Sequence, residues 1–322
     1  MDTPGLLNPP CLAIVVPCYN EAEALPLSSS VLLGILDSLT VVHEIAPDSF
    51  ILCVDDGSQD DTWRIISGLH ESDPRIKGIS LAHNSGHQFA LLAGLDEVID
   101  KCDCAVSIDA DLQDDPQVIG KMVAEYRRGK EIVYGVRKSR KSDSFLKRFT
   151  AHVFYSFQKL MGLDTVYDHA DYRLMSRRAL EILSRYSETN IFLRGIVPLI
   201  GLETAKVYYD RTPRIAGESK YPFSKMLALS VDGITSFSVK PMQWIFYLGL
   251  AILFLTLVVS LYVLVSYFGR NATVPGWTSL MLSVWFLGSL ILIAIGIVGE
   301  YVGKIFMEVK RRPRYAVSSR IS

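Results

Sequence analysis

Two carboxylates one residue apart, Asp109 and Asp111, follow an apolar run of Ala105, Val106 and Ile108. The run reads as a buried strand. Side chains two apart on an extended segment point to the same side. Two carboxylates held side by side repel each other unless a cation sits between them, so a hard divalent ion is the natural third party. Mg2+ or Mn2+ is held in this way by one or two carboxylates plus substrate phosphates. Taken alone, a D-x-D is more often a polar strand-to-helix loop, here with Asp115 and Pro116 opening the next helix.

Other groups could share that chemistry. Tyr19-Asn20-Glu21 and Asp55-Asp56 each follow an apolar run of their own. Basic residues gather at Arg137, Lys138, Arg140 and Lys141, and again at Arg211, Arg214 and Lys220 around Gly217. Arg and Lys beside a Gly-bearing loop suit phosphate, although such a loop can equally be a solvated one. No G-x-G-x-x-G or G-x-x-x-x-G-K-[ST] occurs, so dinucleotide and P-loop cradles are absent from the sequence.

The elements that would position these groups follow from periodicity. Leu12 to Val16, Phe50 to Val54, Ile76 to Leu81, the run ending at Ile108, and Ile132 to Val136 read as strands. Helices are expected from near Thr62, capped by Ser58 or Asp60, and over Gln88 to Val98. Strand, polar loop and helix recur about every 30 residues, the signature of a doubly wound, mostly parallel α/β sheet. Ligands bind such sheets outside the carboxyl ends of the strands, where the three acidic clusters lie. The aromatic residues Phe145, Phe149, Phe154 and Phe157 recur at helical spacing, as on a helix against a membrane surface or against the domain itself.

The 322 residues carry a net charge of −1, which gives no support for nucleic-acid binding. Five cysteines, odd in number and mostly in apolar contexts, read as reduced buried thiols. Met1 to Pro10 has no basic, then apolar, leader pattern, so the soluble part is expected in the cytoplasm. Mean hydropathy is +0.25, concentrated beyond Lys240. From Trp244 to Tyr267 and from Trp277 to Val298 there is no charged side chain. Each run exceeds roughly 20 residues, enough to cross a hydrocarbon core. Basic residues crowd the C-terminal flank (Lys304, Lys310, Arg311, Arg312, Arg314) while the connecting loop carries Arg270, so both termini are expected in the cytoplasm.

Seven segments then match one family: Val16–Glu21, Val54–Ser58, Asn84–Gln88, Asp109–Asp114, Asp171–Met175, Gly217–Tyr221 and Gly299–Gly303. In these the chain resembles family 2 glycosyltransferases of GT-A fold, and more closely the polyisoprenyl-phosphate glycosyltransferases of the bactoprenol glucosyltransferase kind, with dolichol-phosphate mannose synthases as more distant relatives. His83, Asp115 and Ala170 depart from the residues frequent in that family.

The resemblance implies a Rossmann-like GT-A catalytic domain over residues 1–222. An interfacial helix at 223–241, membrane helices at 242–268 and 277–299 joined by an external loop at 269–276, and a basic tail at 300–322 would follow. It implies that Pro17, Tyr19, Glu21, Asp55, Asp56 and Asp109 hold the nucleotide, and that Asp109 and Asp111, with Gln113 nearby, bind Mg2+ or Mn2+. Arg137, Arg140, Arg211, Arg214 and Lys220 are the candidates for lipid phosphate and donor diphosphate, and Asp171 for a base or sugar-hydroxyl contact. The implied reaction is inverting, metal-dependent transfer of a hexose from a nucleotide sugar to polyprenyl phosphate at the membrane. UDP-glucose is the first choice of donor, and GDP-mannose, UDP-N-acetylglucosamine and an aminoarabinose donor stay open. A processive polysaccharide synthase is disfavoured by only two spans and the lack of Q-x-x-R-W, and a flippase by the lack of intramembrane charge. A non-catalytic membrane scaffold would leave the carboxylates dispensable. The two spans leave room for homo-oligomeric assembly.

Overall fold

The computed structural model describes residues 8–137, 169–188, 193–210, 240–270 and 276–322. Arg140, Arg211, Arg214 and Lys220, the aromatic run at 145–157 and the stretch 223–239 lie outside the described residues.

The apolar runs become strands β1 (Leu12–Cys18), β2 (Phe50–Asp55), β3 (Ile76–Leu81), β4 (Cys104–Ser107) and β5 (Ile132–Arg137). Three further strands, β6 (His169–Ser176), β7 (Thr204–Tyr209) and β8 (Val317–Ile321), complete one eight-stranded sheet in the order β7-β5-β6-β4-β1-β2-β3-β8. Its centre, β4-β1-β2-β3, is parallel, as the strand-helix alternation requires. β6 inserts antiparallel between β4 and β5, and β7 lies parallel to β5. The helices are α1 (Leu25–Val41), α2 (Thr62–Ser72), α3 (His87–Val98), α4 (Val118–Arg127), α5 (Arg177–Ser184), α6 (Leu193–Leu199), α7 (Lys240–Arg270) and α8 (Trp277–Lys310).

β1 and β2 are buried along their whole length, which is why they read as unbroken apolar runs. α3 packs on them through Gly94. A Cβ there would lie 2.4 Å from Val15 Cγ1 and 2.7 Å from Val54 Cγ2. At α2 the carboxylate of Asp60, not the hydroxyl of Ser58, serves the helix start, accepting from the Thr62 backbone N–H at 3.0 Å. The Ser58 hydroxyl accepts from the Asn20 N–H instead.

β8 differs from a simple basic tail. Val317–Ile321 pairs antiparallel with β3, the Tyr315 hydroxyl donates to Asp96 at 2.6 Å, and Arg320 bonds Glu97 at 3.1 Å. The chain divides into two units. One holds the sheet, including residues 312–322; the other holds α7 and α8. The second unit exposes large apolar side chains, among them Phe254, Leu257, Phe286, Leu292 and Ile295. Among the described residues one stretch, Phe286–Lys310, is long and apolar enough to cross a membrane.

Candidate active site

β1 to β5 and β7 deliver their carboxyl ends to one edge of the sheet, and antiparallel β6 delivers its start to the same edge. Ser107 pairs in register with Arg173, so Asp171 lies just beyond the end of β4, beside Asp109. The Ser107 hydroxyl donates to the Asp171 carbonyl and fixes that overlap.

β4 ends at Ser107, before the carboxylates, so strand geometry does not align them. Asp109 is followed by a turn closed by the Leu112 N–H on its carbonyl at 3.2 Å, with Leu112 at φ 45°. Asp111 lies in that turn and accepts from the Gln113 N–H at 3.2 Å; the Gln113 side chain is buried. The Asp109 side chain stays 45% exposed. Surrounding protein raises its pKa, helped by the carboxylates of Asp171, Asp114 and Asp111 and opposed by His87. Crowding of this kind is relieved by a cation. Among the described residues no three His, Cys, Asp or Glu side chains form a cage for one. Two carboxylates with phosphate oxygens completing the shell is the donor set that Mg2+ uses, and the residues present fit it.

Asp171 is the hub of the charged groups beside Asp109. It accepts from Arg173, from Arg194 Nη2 at 3.0 Å, and faces His87 Nε2 at 3.7 Å. Burial alone would raise its pKa, but His87, Arg194 and Arg173 together hold it well below the usual carboxylate range. His87 also sits 3.7 Å from Asp109 Oδ1 and so bridges the two aspartates. Burial pulls the His87 pKa down, and its carboxylate neighbours more than reverse this. Arg137 closes the third side. It bonds Asp114 at 3.0 Å and the Tyr209 hydroxyl at 3.3 Å, and Asp114 is buried.

The residues expected at the nucleotide divide into two kinds. Tyr19 is exposed on the rim and Glu21 lies partly exposed beside it. Pro17, Asp55 and Asp56 are buried. Asp55 accepts from the Ser58 N–H at 3.1 Å and from the Ser80 hydroxyl at 2.8 Å. Asp56 accepts from the Ser85 and Gly86 N–H groups at 2.7 and 2.9 Å. Asp55 thus holds the turn after β2, and Asp56 sets the start of α3, which carries His87.

Of the candidates named from the sequence, Asp109, Asp111, Asp171 and Arg137 are gathered by the fold at one edge. No role was read from the sequence for His87, Asp114, Arg173 or Arg194. His87 and Arg173 fall inside motifs, whereas Arg194 is marked only as an arginine interrupting the apolar stretch Phe192 to Ile196. The thiols are not part of the site: all five are free, and burial pushes Cys11 and Cys102 up to about 12.

Residues 13–183 match the family described as Glycosyl transferase family 2. The uncharacterized glycosyltransferase YkoT of Bacillus subtilis (strain 168) is 51% identical over 96% of this chain and 91% of its own length. The bactoprenol glucosyl transferase of Shigella phage SfX is 36% identical over 96% of this chain and 99% of its own. Among solved structures, a mannosyltransferase from Pyrobaculum calidifontis in complex with GDP-Man and Mn2+ aligns at 13% identity over 94% of this chain and 86% of that one, with a TM-score of 0.43.

Proposed function

The chain belongs to glycosyl transferase family 2 and is a glycosyltransferase, and we propose that it moves a hexose from a nucleotide sugar, UDP-glucose first, onto polyprenyl phosphate at the cytoplasmic face of a membrane. The observation that carries this reading is the half-exposed Asp109 carboxylate at the ligand edge of the sheet, 3.7 Å from a His87 that also faces Asp171 and its two guanidiniums. The name of the Shigella phage relative supports a bactoprenol acceptor.

Asp109 and Asp111 would hold Mg2+ or Mn2+, which supplies charge neutralisation at the departing diphosphate. Tyr19 and Glu21 on the rim are proposed to position the nucleotide, with Pro17, Asp55 and Asp56 shaping the wall behind them. Arg137, fixed by Asp114 and Tyr209, presents a guanidinium toward phosphate oxygens. Arg140, Arg211, Arg214 and Lys220 are proposed to add to that positive lining. The nucleophile is a phosphate monoester whose second pKa is about 6, so it is already largely dianionic near neutral pH. A strong general base is then unnecessary. Asp171, held ionised by its cations, is suited to orient them and to contact a sugar hydroxyl. A single in-line displacement inverts the anomeric centre.

The test is a panel of radiolabelled nucleotide sugars offered to membranes carrying polyprenyl phosphate and this protein. UDP-glucose is expected to label the lipid in the presence of Mg2+ or Mn2+. Asp111→Ala is expected to abolish labelling while the protein still folds. Full turnover by that variant would sink the mechanism.

A further inference from the structure

Arg194 shares its carboxylate partner at this edge, Asp171, with a second guanidinium. Asp171 carries a single negative charge, and the buried Arg173 already neutralises it. Arg173 is committed to the interior, its Nη1 donating to the Leu193 carbonyl at 3.4 Å. Arg194 then places a second guanidinium on the same carboxylate, through Nη2 at 3.0 Å and Nε at 3.4 Å. Arg137 is matched by Asp114. Of the two guanidiniums on Asp171, Arg194 is the exposed one, at 45% against 2% for Arg173.

Its geometry is fixed, not incidental. Leu193, Ile196 and Val197 bury the inner face of α6. The Leu193 N–H donates to Gln88 Oε1 on α3 at 3.0 Å, and the Leu193 carbonyl accepts from Arg173 on β6. The residue before Arg194 is thus tied to two separate elements. With the Nε edge spent on Asp171, Nη1 has no hydrogen-bond partner among the described residues, and the side chain is 45% exposed. A planar guanidinium held on one edge and open on the other is prepared for a second, bidentate oxyanion. Asp109 and Arg137 both lie within electrostatic range of it, so the open edge belongs to the same cleft.

We infer that Arg194 is a phosphate ligand of this cleft, with Asp171 as the positioning residue that aims it. This rests on the lipid-phosphate glycosyltransferase reading for the source of the phosphate, which is either the donor diphosphate or the acceptor monoester.

The experiment measures binding rather than turnover. The full chain in detergent is titrated calorimetrically with UDP in Mg2+ buffer, and separately with a water-soluble short-chain prenyl phosphate. Wild type is compared with Arg194→Ala and Arg194→Lys. A charge-assisted bond to phosphate predicts at least about a tenfold loss of affinity for one probe in Arg194→Ala, partly recovered by Arg194→Lys. An exposed side chain should leave the melting temperature unchanged. Loss confined to UDP assigns the donor side, and loss confined to prenyl phosphate assigns the acceptor side. Affinities for both probes within about twofold of wild type, or a wild type that binds neither, would overturn the inference. Sugar transfer by the wild type is scored in parallel. Its absence would defeat the lipid-phosphate reading, while the two titrations still judge Arg194.

Discussion

Asp171 accepts hydrogen bonds from two guanidiniums and faces an imidazole, and this decides what it can do. A carboxylate so surrounded gives up its lone pairs to orientation and is a poor proton acceptor. Because its folded pKa is depressed, its contribution to stability is complete above the unfolded carboxylate value, about 3.9. That contribution fades only as pH falls through the depressed folded value, so it is intact throughout the neutral range. Asp171→Asn should then act mainly through Arg173, which is 2% exposed and would be left as a buried unpaired charge. Removing one partner of a buried pair costs about 3–5 kcal/mol. The expected result is a large drop in melting temperature at neutral pH together with lost transfer. A variant as stable as wild type would show that Arg173 does not depend on Asp171. At Asp109 and Asp111 the position after an apolar run was legible, since both follow β4 at the sheet edge, but the extended spacing read for them was not kept, because β4 ends at Ser107. Arg194 was not legible, because its meaning comes from a contact with Asp171, 23 residues earlier in the chain and on another element.

At the scale of elements, α3 is the part on which the site depends most. It offers His87 at its first turn, and Gln88 ties down α6 and hence Arg194. Its height over the sheet is set by Gly94, where an added Cβ would meet Val15 and Val54 inside van der Waals distance. Overpacking of this kind costs about 1–3 kcal/mol, against a gain in helix propensity of at most about 1 kcal/mol. Gly94→Ala is expected to lower the melting temperature and also to reduce transfer, because His87 and Arg194 move with the helix. Gly34→Ala is the matched control. That position lies on the exposed face of α1 with nothing within 4 Å, so the same substitution should raise the melting temperature and leave transfer intact. Equal effects from both would refute the packing argument. The strands under α3 were readable because burial on both faces writes an unbroken apolar run. β8 was hidden, since Val317-Ser318-Ser319-Arg320-Ile321 is short, polar and preceded by a basic stretch. The place of antiparallel β6 between β4 and β5 is a matter of long-range pairing that local sequence does not encode.

The whole molecule adds a constraint that hydropathy alone lacks. β8 follows α8 in the chain, β3 precedes α7, and the two strands are hydrogen-bonded to each other. Paired strands lie on one side of a bilayer, so the chain between them crosses an even number of times. One crossing by Phe286–Lys310 is incompatible with that pairing unless a second segment crosses as well. α7 is the candidate, with no charged residue from Trp244 to Tyr267. If both helices cross, the positive-inside rule and the basic residues Lys310, Arg311, Arg312 and Arg314 would put the sheet on the cytoplasmic side, and cysteine labelling tests that proposal. Ala272→Cys in the connecting loop should react with a membrane-impermeant maleimide in intact cells. Ser322→Cys, at the end of β8, should react only after lysis. Protection of both would mean that the helices lie along the surface without crossing. Labelling of Ser322→Cys from outside would overturn the cytoplasmic placement of the sheet edge that carries β8.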